Sequence, residues 1–326
     1  MARPRSFFIV PVVCALLLLL TSLWYHNRNS DSPTNFLGVL RPAILAPPFI
    51  STKEGFPIRD KVAVIVETRP TRNLLPIILH FASVLGPEWP IIFLTRESVI
   101  NTLQAHAQGS HPFKRIVKSG QVKIIELPSD PPLLEYEGVS HFLASEWFWN
   151  LMNPAKHMLL FQVDSMICAN SGRKVEDFFE WDFVGAAHPF WKGAFNGGLA
   201  LRNVSLSQEV VRRYNISDDV NEKGNGLGMF EDAWFWDKMK DMGGHFPSPE
   251  KAGEFAVDYI WSERPLGFHG INKNEQVARA EQIYEYCPEA MLAASGAEVK
   301  LNDEELKIYT PVPDGPTEGG RRLDFV

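Results

Sequence analysis

Gln162-Val163-Asp164-Ser165 places one carboxylate between an amide and a hydroxyl, directly after an apolar run. A single acid of this kind suits a hard divalent cation that keeps several waters and takes its remaining oxygens from a phosphate-bearing ligand. A turn or helix-cap aspartate has the same local signature. Later in the chain, Pro265-Leu266-Gly267-Phe268-His269-Gly270 sets a histidine between glycines, where it could ligate a metal or serve a structural role. Glu231-Asp232 opens an aromatic stretch; the pair could stabilise a helix start through the macrodipole, or present one carboxylate to a cleft as a proton acceptor. Asn196-Gly197-Gly198 precedes an apolar run, where paired glycines let backbone approach a ligand closely and an amide can bond hydroxyls. An Asn-Gly hairpin turn is the competing expectation.

The elements that must position these residues follow from apolar patterning. Lys61 to Glu67 is a continuous β-branched run, as expected of a strand covered on both faces. A helix is expected from Leu74 to Leu85 with Asn73 as N-cap, then strands at Pro90 to Thr95 and Val122 to Leu127 with a helical stretch near Val99 to Ala107 between them. Ser140 is expected to cap a helix running through Asn150, before a strand from His157 to Val163 and a shorter one from Asp182 to Ala186. Strand and helix in alternation signify an α/β fold with a doubly wound, mostly parallel sheet flanked by helices. Such sheets bind ligands at the carboxyl ends of their strands, which is where Asp164 falls.

The chain has 326 residues, 45% of them hydrophobic and 22% charged, which is ordinary globular composition. A net charge of -7 without any basic run argues against nucleic acid as a partner. Cys14, Cys168 and Cys287 lack the spacing of a cysteine zinc site; Cys168 and Cys287 could pair or remain buried thiols. Phe7 to Tyr25 holds no charged residue, and as a helix it would span about 28 Å, close to the hydrocarbon thickness of a bilayer. A cleaved signal peptide is the alternative, but Ser22-Leu23-Trp24-Tyr25 offers no small-x-small site. Arg3 and Arg5 before the span favour a cytoplasmic tail over residues 1–6, a signal anchor over 7–25 and a lumenal remainder. That remainder is expected to comprise a Pro, Ser and Asn-rich stem over 26–60, a globular domain over 61–309 and a loose tail over 310–326. Sequons at Asn203 and Asn215 suit a lumenal body.

Taken in order, V-E-T-R at the end of the first strand, Q-x-D-S, W-D-F-V-G-A, N-G-G-L-A-L-R, E-D-A-W-F and P-L-G-F-H-G form a set. The set resembles nucleotide-sugar-dependent glycosyltransferases of the GT-A fold, and more closely a fungal and bacterial family of unknown function within that superfamily. It covers roughly Lys61 to Ile271, and the anchor with its short stem suits a Golgi or ER enzyme of type II topology. The resemblance implies a nucleotide sugar as donor, a glycan or other hydroxyl as acceptor, and a Mn or Mg ion. It assigns Thr68 and Arg69 to the nucleotide pocket, and Asp164 with Ser165 to the donor site. Asn196, Gly197 and Gly198 fall beside the donor sugar. Asp164 and His269 are implied metal ligands, and Asp232 with Glu231 the acid pair that supplies the base in inverting members. Gln162 stands where the superfamily's D-x-D element has its first acid, which removes one carboxylate. Trp191, Trp234 and Trp236 are candidate faces for sugar packing or ordinary core residues. A membrane-anchored, non-catalytic carbohydrate-binding protein and a lumenal metal-dependent hydrolase are the alternative classes; against the hydrolase, neither a nucleophile elbow nor H-E-x-x-H occurs.

The anchor generates a first prediction. Protease added to intact microsomes should spare the chain beyond Tyr25 until detergent is added. Digestion without detergent would reverse the orientation, and a mature N-terminus near His26 would make the protein secreted.

Overall fold

The computed structural model describes residues 58–294 except 108–109, 128–135, 191–192, 224–229 and 272. The expected anchor, nearly all of the stem, the tail and Trp191 lie outside the described residues. Among the described residues no helix is long and apolar enough to cross a membrane.

The first half alternates strand and helix as the patterning requires. The strands β1 (Lys61–Val66), β2 (Ile91–Thr95), β3 (Val122–Glu126) and β4 (His157–Phe161) pair in parallel in the order β3-β2-β1-β4. Their centres are buried because helices cover the sheet, and a near-continuous apolar run is what double burial selects. Helix α1 (Leu74–Leu85) buries Leu74, Ile77, Ile78, Phe81 and Ala82, a stripe at helical spacing, and the Phe81 ring stacks on Phe161 of β4 with centroids 3.8 Å apart. Asn73 does not cap this helix. Its amide donates instead to the carbonyls of Val163 and Leu292, each at 3.1 Å, tying α1 to the exit of β4.

Helix α2 (Glu97–Ala107) falls where a helical stretch is expected, and an additional helix α3 (His111–Lys118) follows, its Phe113 N–H directed at the Ser110 hydroxyl. The stretch expected as one helix from Ser140 splits into α4 (Tyr136–Leu143) and α5 (Glu146–Asn150). Ser145 is the reason: its hydroxyl accepts the Phe148 N–H at 3.3 Å and starts a new helix.

Beyond β4 the chain builds a second, three-stranded sheet and closes the first. Strand β5 (Ser165–Ile167) leaves for the small sheet, while β6 (Phe183–Ala187) and β7 (Phe195–Asn203) return to the large one. β7 lies antiparallel between β4 and β6, with Phe161 opposite Leu199. Asn196-Gly197-Gly198 therefore belongs to a strand and not to a hairpin turn. After α6 (Val204–Arg213), α7 (Ile216–Lys223), α8 (Glu231–Asp241) and α9 (Pro249–Phe255), the short strands β8 (Ala256–Val257) and β9 (Gly267–His269) complete the small sheet in the order β5-β9-β8. Helix α10 (Ala280–Tyr286) ends at Cys287, which is disulfide-bonded to Cys168 just past β5, with Cα atoms 5.1 Å apart.

That bond joins positions 119 apart in sequence and closes a loop that contains β6, β7, β8 and β9. Removing it by Cys287→Ser should lower unfolding free energy by about 2–5 kcal/mol, as loss of a native bridge in a folded domain does. The urea midpoint of the variant should match that of reduced wild type; an unchanged midpoint would show that the bridge contributes nothing.

Candidate active site

β7 runs against β4, so its first residues lie at the edge where the parallel strands end. Gln162 N–H donates to the Gly198 carbonyl at 3.0 Å, and the Ser165 hydroxyl donates to the same oxygen at 2.6 Å. These bonds fold Gln162 to Ser165 into a tight turn with Asp164 at its tip. Ser165, assigned to the donor site by resemblance, is fully buried and its hydroxyl serves this backbone arrangement.

Pairing of β5 with β9 sets His269 opposite Ser165, and so brings the histidine to Asp164 across a long stretch of sequence. His269 Nε2 lies 3.4 Å from Asp164 Oδ1 and 3.3 Å from Gln162 Oε1, while Nδ1 lies 3.2 Å from Asp258 Oδ2. The Lys273 ammonium donates to the other Asp164 oxygen at 2.8 Å. Burial by itself would lower the His269 pKa, but Asp164 first and Asp258 second outweigh it and raise it to about 10. Burial works the other way on Asp164, yet the His269 and Lys273 charges hold its carboxyl well below the usual range. The cluster is thus an acid–imidazole–acid chain with a lysine at its open end.

A second cluster stands one residue away along β7. Arg202 is fully buried and binds Glu231 through both guanidinium ends, at 2.6 and 3.0 Å, with its guanidinium carbon 4.4 and 5.1 Å from the ring centroids of Phe183 and Phe235. Both Glu231 oxygens are committed to this pair, so the residue acts as counter-ion to Arg202 rather than as a second base. The Ser140 hydroxyl accepts the Glu231 N–H at 3.2 Å; it caps the start of α8, not the helix for which it was expected. Asp232 remains as the carboxylate next to β7. Its Oδ2 accepts the Gly197 N–H and its Oδ1 the Ala233 N–H, each at 2.8 Å. Burial, then the neighbouring Glu231 charge, pushes its pKa up to about 6, which places proton exchange within the physiological range.

The two clusters approach because Gly197 and Gly198 have no side chains. A Cβ on Gly197 would stand 2.8 Å from Glu231 Oε1 and 3.0 Å from the Asp232 Cβ; one on Gly198 would overlap His269 and stand 2.8 Å from Gln162 Oε1. Successive positions of a strand face opposite ways, so the clusters flank β7 at the sheet edge. Asn196 shapes this start of the strand by accepting the Gly198 N–H at 2.7 Å.

Other expected residues are placed differently. Arg69 folds back onto the buried Glu67, with Nε 2.9 Å and Nη2 2.7 Å from its two oxygens, at the carboxyl end of β1 beside half-buried Thr68. Trp234 is core, 1% exposed, with its indole N–H donated to Asp219. Trp236 packs against Gly193 and Phe246. Asp258, Lys273 and Arg202 were not singled out from sequence. Lys273 lies four positions past His269 and could have been noted for that spacing, whereas Asp258 carries no local signal.

A Mn or Mg ion fits this donor set poorly. Such ions take hard oxygen ligands, yet both Asp164 oxygens already face a cation or an imidazole, and Gln162 supplies an amide where a second acid would help. Among the described residues no three His, Cys, Asp or Glu side chains are grouped to hold a metal. The expected meeting of Asp164 with His269 occurs, but with a lysine in attendance.

A family model described as a protein of unknown function, DUF5672, matches residues 121–269, which takes in Asp164, Asn196 to Gly198, Glu231, Asp232 and His269. No curated protein matches the chain in sequence. Among solved structures, it is similar to the glycosyltransferase GlyE of Streptococcus pneumoniae TIGR4, at 13% identity and a TM-score of 0.41 over 65% of this chain and 54% of that one. The chain thus spans about half the length of the pneumococcal protein. It is also similar to the galactosyltransferase LgtC in complex with donor and acceptor sugar analogs, at 12% identity and a TM-score of 0.44 over 74% and 98% of the two chains. A third similar structure is core-mannan synthase A of Aspergillus fumigatus in its Mn/GDP form, at 10% identity and a TM-score of 0.36 over 61% and 73%.

The buried Arg202–Glu231 pair generates a prediction of its own. Glu231→Gln leaves an uncompensated guanidinium in the core and should cost about 3–5 kcal/mol of stability. Asp232→Asn should cost less, about 1–3 kcal/mol, because it strands no buried charge and deprives only one backbone N–H of its acceptor. Urea unfolding of the two variants at neutral pH measures the contrast, and similar losses in both would contradict the assignment of roles.

Proposed function

We propose that this chain is an inverting glycosyltransferase that moves a sugar from a nucleotide-sugar donor to a hydroxyl of a glycan, glycoprotein or glycolipid. The observation that carries this reading is the convergence on Gly197 and Gly198, at the ligand-binding edge of the sheet, of a carboxylate of raised pKa and a separate cluster bearing cations. Transfer forms a bond between the acceptor oxygen and the anomeric carbon, breaks the bond from that carbon to the donor phosphate, and releases a proton and a nucleoside diphosphate. Asp232 accepts the proton, and the cluster at Asp164 faces the departing diphosphate.

We further propose a type II membrane protein of the Golgi or ER, with the catalytic domain in the lumen. The Cys168–Cys287 bond supports this placement, since disulfides persist in oxidising compartments, and so does the exposed Asn215 sequon. A non-catalytic carbohydrate-binding protein is the second reading, favoured by one feature: both Asp232 oxygens already accept backbone N–H groups.

Incubation with a panel of nucleotide sugars, with and without acceptors, separates the two readings, because donor turnover excludes a purely binding role. Asp232→Asn should lower kcat by about 10² to 10⁴ with little change in donor affinity. Because the base must be ionised, wild-type turnover should fall as pH drops below about 6, and the variant should lack this limb. The stability effect has the opposite sense: a carboxyl with raised native pKa favours the fold most at low pH and loses that contribution as pH rises through about 6. Retention of the anomeric configuration, or near-normal turnover in the variant, would remove Asp232 from the role.

A further inference from the structure

The turn after β9 is built around Asp164. Gly270 N–H donates to the Asp164 carbonyl at 3.0 Å, Lys273 N–H donates to the Gly270 carbonyl at 3.0 Å, and the Lys273 ammonium returns to the Asp164 carboxylate. Gln276, fully buried, braces the same turn by donating to the carbonyls of His269 and Asp258 at 2.7 and 3.1 Å. The lysine is therefore held from both ends of its residue, and its side chain is 44% exposed, so the ammonium stands at the mouth of the cluster and is not sealed within it. It stands against the one acid that the turn after β4 offers, where a divalent ion would otherwise have to sit, and Gln162 leaves that ion without a second carboxylate.

We propose that the Lys273 ammonium takes the place of a divalent cation and holds the donor diphosphate at Asp164, so that donor binding requires no metal. The inference rests on the glycosyltransferase reading and specifies its donor site. An ammonium is a compact charge with three N–H donors, so it can bridge a carboxylate and a phosphate oxygen at once. Asp164 then acts as the anchor that aims the lysine, and its own negative charge is offset before the diphosphate arrives.

The test uses the full chain in detergent, with UDP and GDP as probes and calorimetry or thermal shift as readout, so that no turnover is needed. In EDTA one of the two nucleotides should bind, and added Mn should change its affinity by less than about twofold. Lys273→Met should weaken binding about 10- to 100-fold, the range for losing a charged hydrogen bond, at a nearly unchanged melting temperature. Lys273→Arg, which keeps the charge, should retain most of the affinity. Binding that appears only with Mn would overturn the proposal while leaving the transferase reading in place, and this comparison needs only wild type. Unaltered binding by folded Lys273→Met would overturn it equally. Failure of both nucleotides under both conditions would remove the donor site itself, and the proposal with it.

Discussion

Two adjacent positions without side chains, at the point where an antiparallel strand meets the carboxyl edge of a parallel sheet, let charged groups approach a backbone that would otherwise hold them off. Gly198 admits His269 and Gln162 on one side of β7, and Gly197 admits Glu231, Arg202 and Asp232 on the other. A methyl group at either would press on a charged side chain held by buried partners, and parting such a pair costs more than the volume of the methyl implies. The arrangement of the whole site is thus a consequence of backbone exposure along one turn of strand.

The charges on either side of β7 are managed in different ways. Arg202 and Glu231 neutralise each other in the core, with the guanidinium close to two aromatic rings. Their pairing leaves Asp232 beside a carboxylate already committed elsewhere, and desolvation together with that neighbour raises its pKa. On the other side, Asp164 and Asp258 bracket His269, and Lys273 completes the balance at the exposed end. A carboxylate of raised pKa and a cluster bearing an exposed ammonium arise beside neighbouring residues of β7 because one ion pair is closed in the core and the other cluster reaches solvent through Lys273.

Positioning of the open cluster depends on the small sheet. His269 reaches Asp164 only because β9 pairs with β5, and β5 is held at its far end by the disulfide to Cys287 and by Glu289, whose carboxylate accepts the Ala169 N–H. The carboxyl-terminal helices thereby support residues near the sheet edge without supplying any of them.

Much of this was legible in the sequence. The strands β1, β2 and β4 are continuous apolar runs because both of their faces are covered, so burial leaves its mark on every residue. Asp164, His269 and the Glu231-Asp232 pair stood out because glycines or strand ends beside acids and histidines are local features. Partnership was not local. Ser140 caps α8 some 91 positions away, Asn73 binds the exit of β4 instead of its own helix, and Asp258 orients His269 through a hydrogen bond that no spacing announces. Nor does the sequence distinguish a lysine on the surface from one seated on the Asp164 carboxylate. Periodicity records which face of a segment is buried, because burial acts on each residue separately. Which charge meets which is decided only when strands pair and helices dock, since those contacts join residues whose separation along the chain has no regular length.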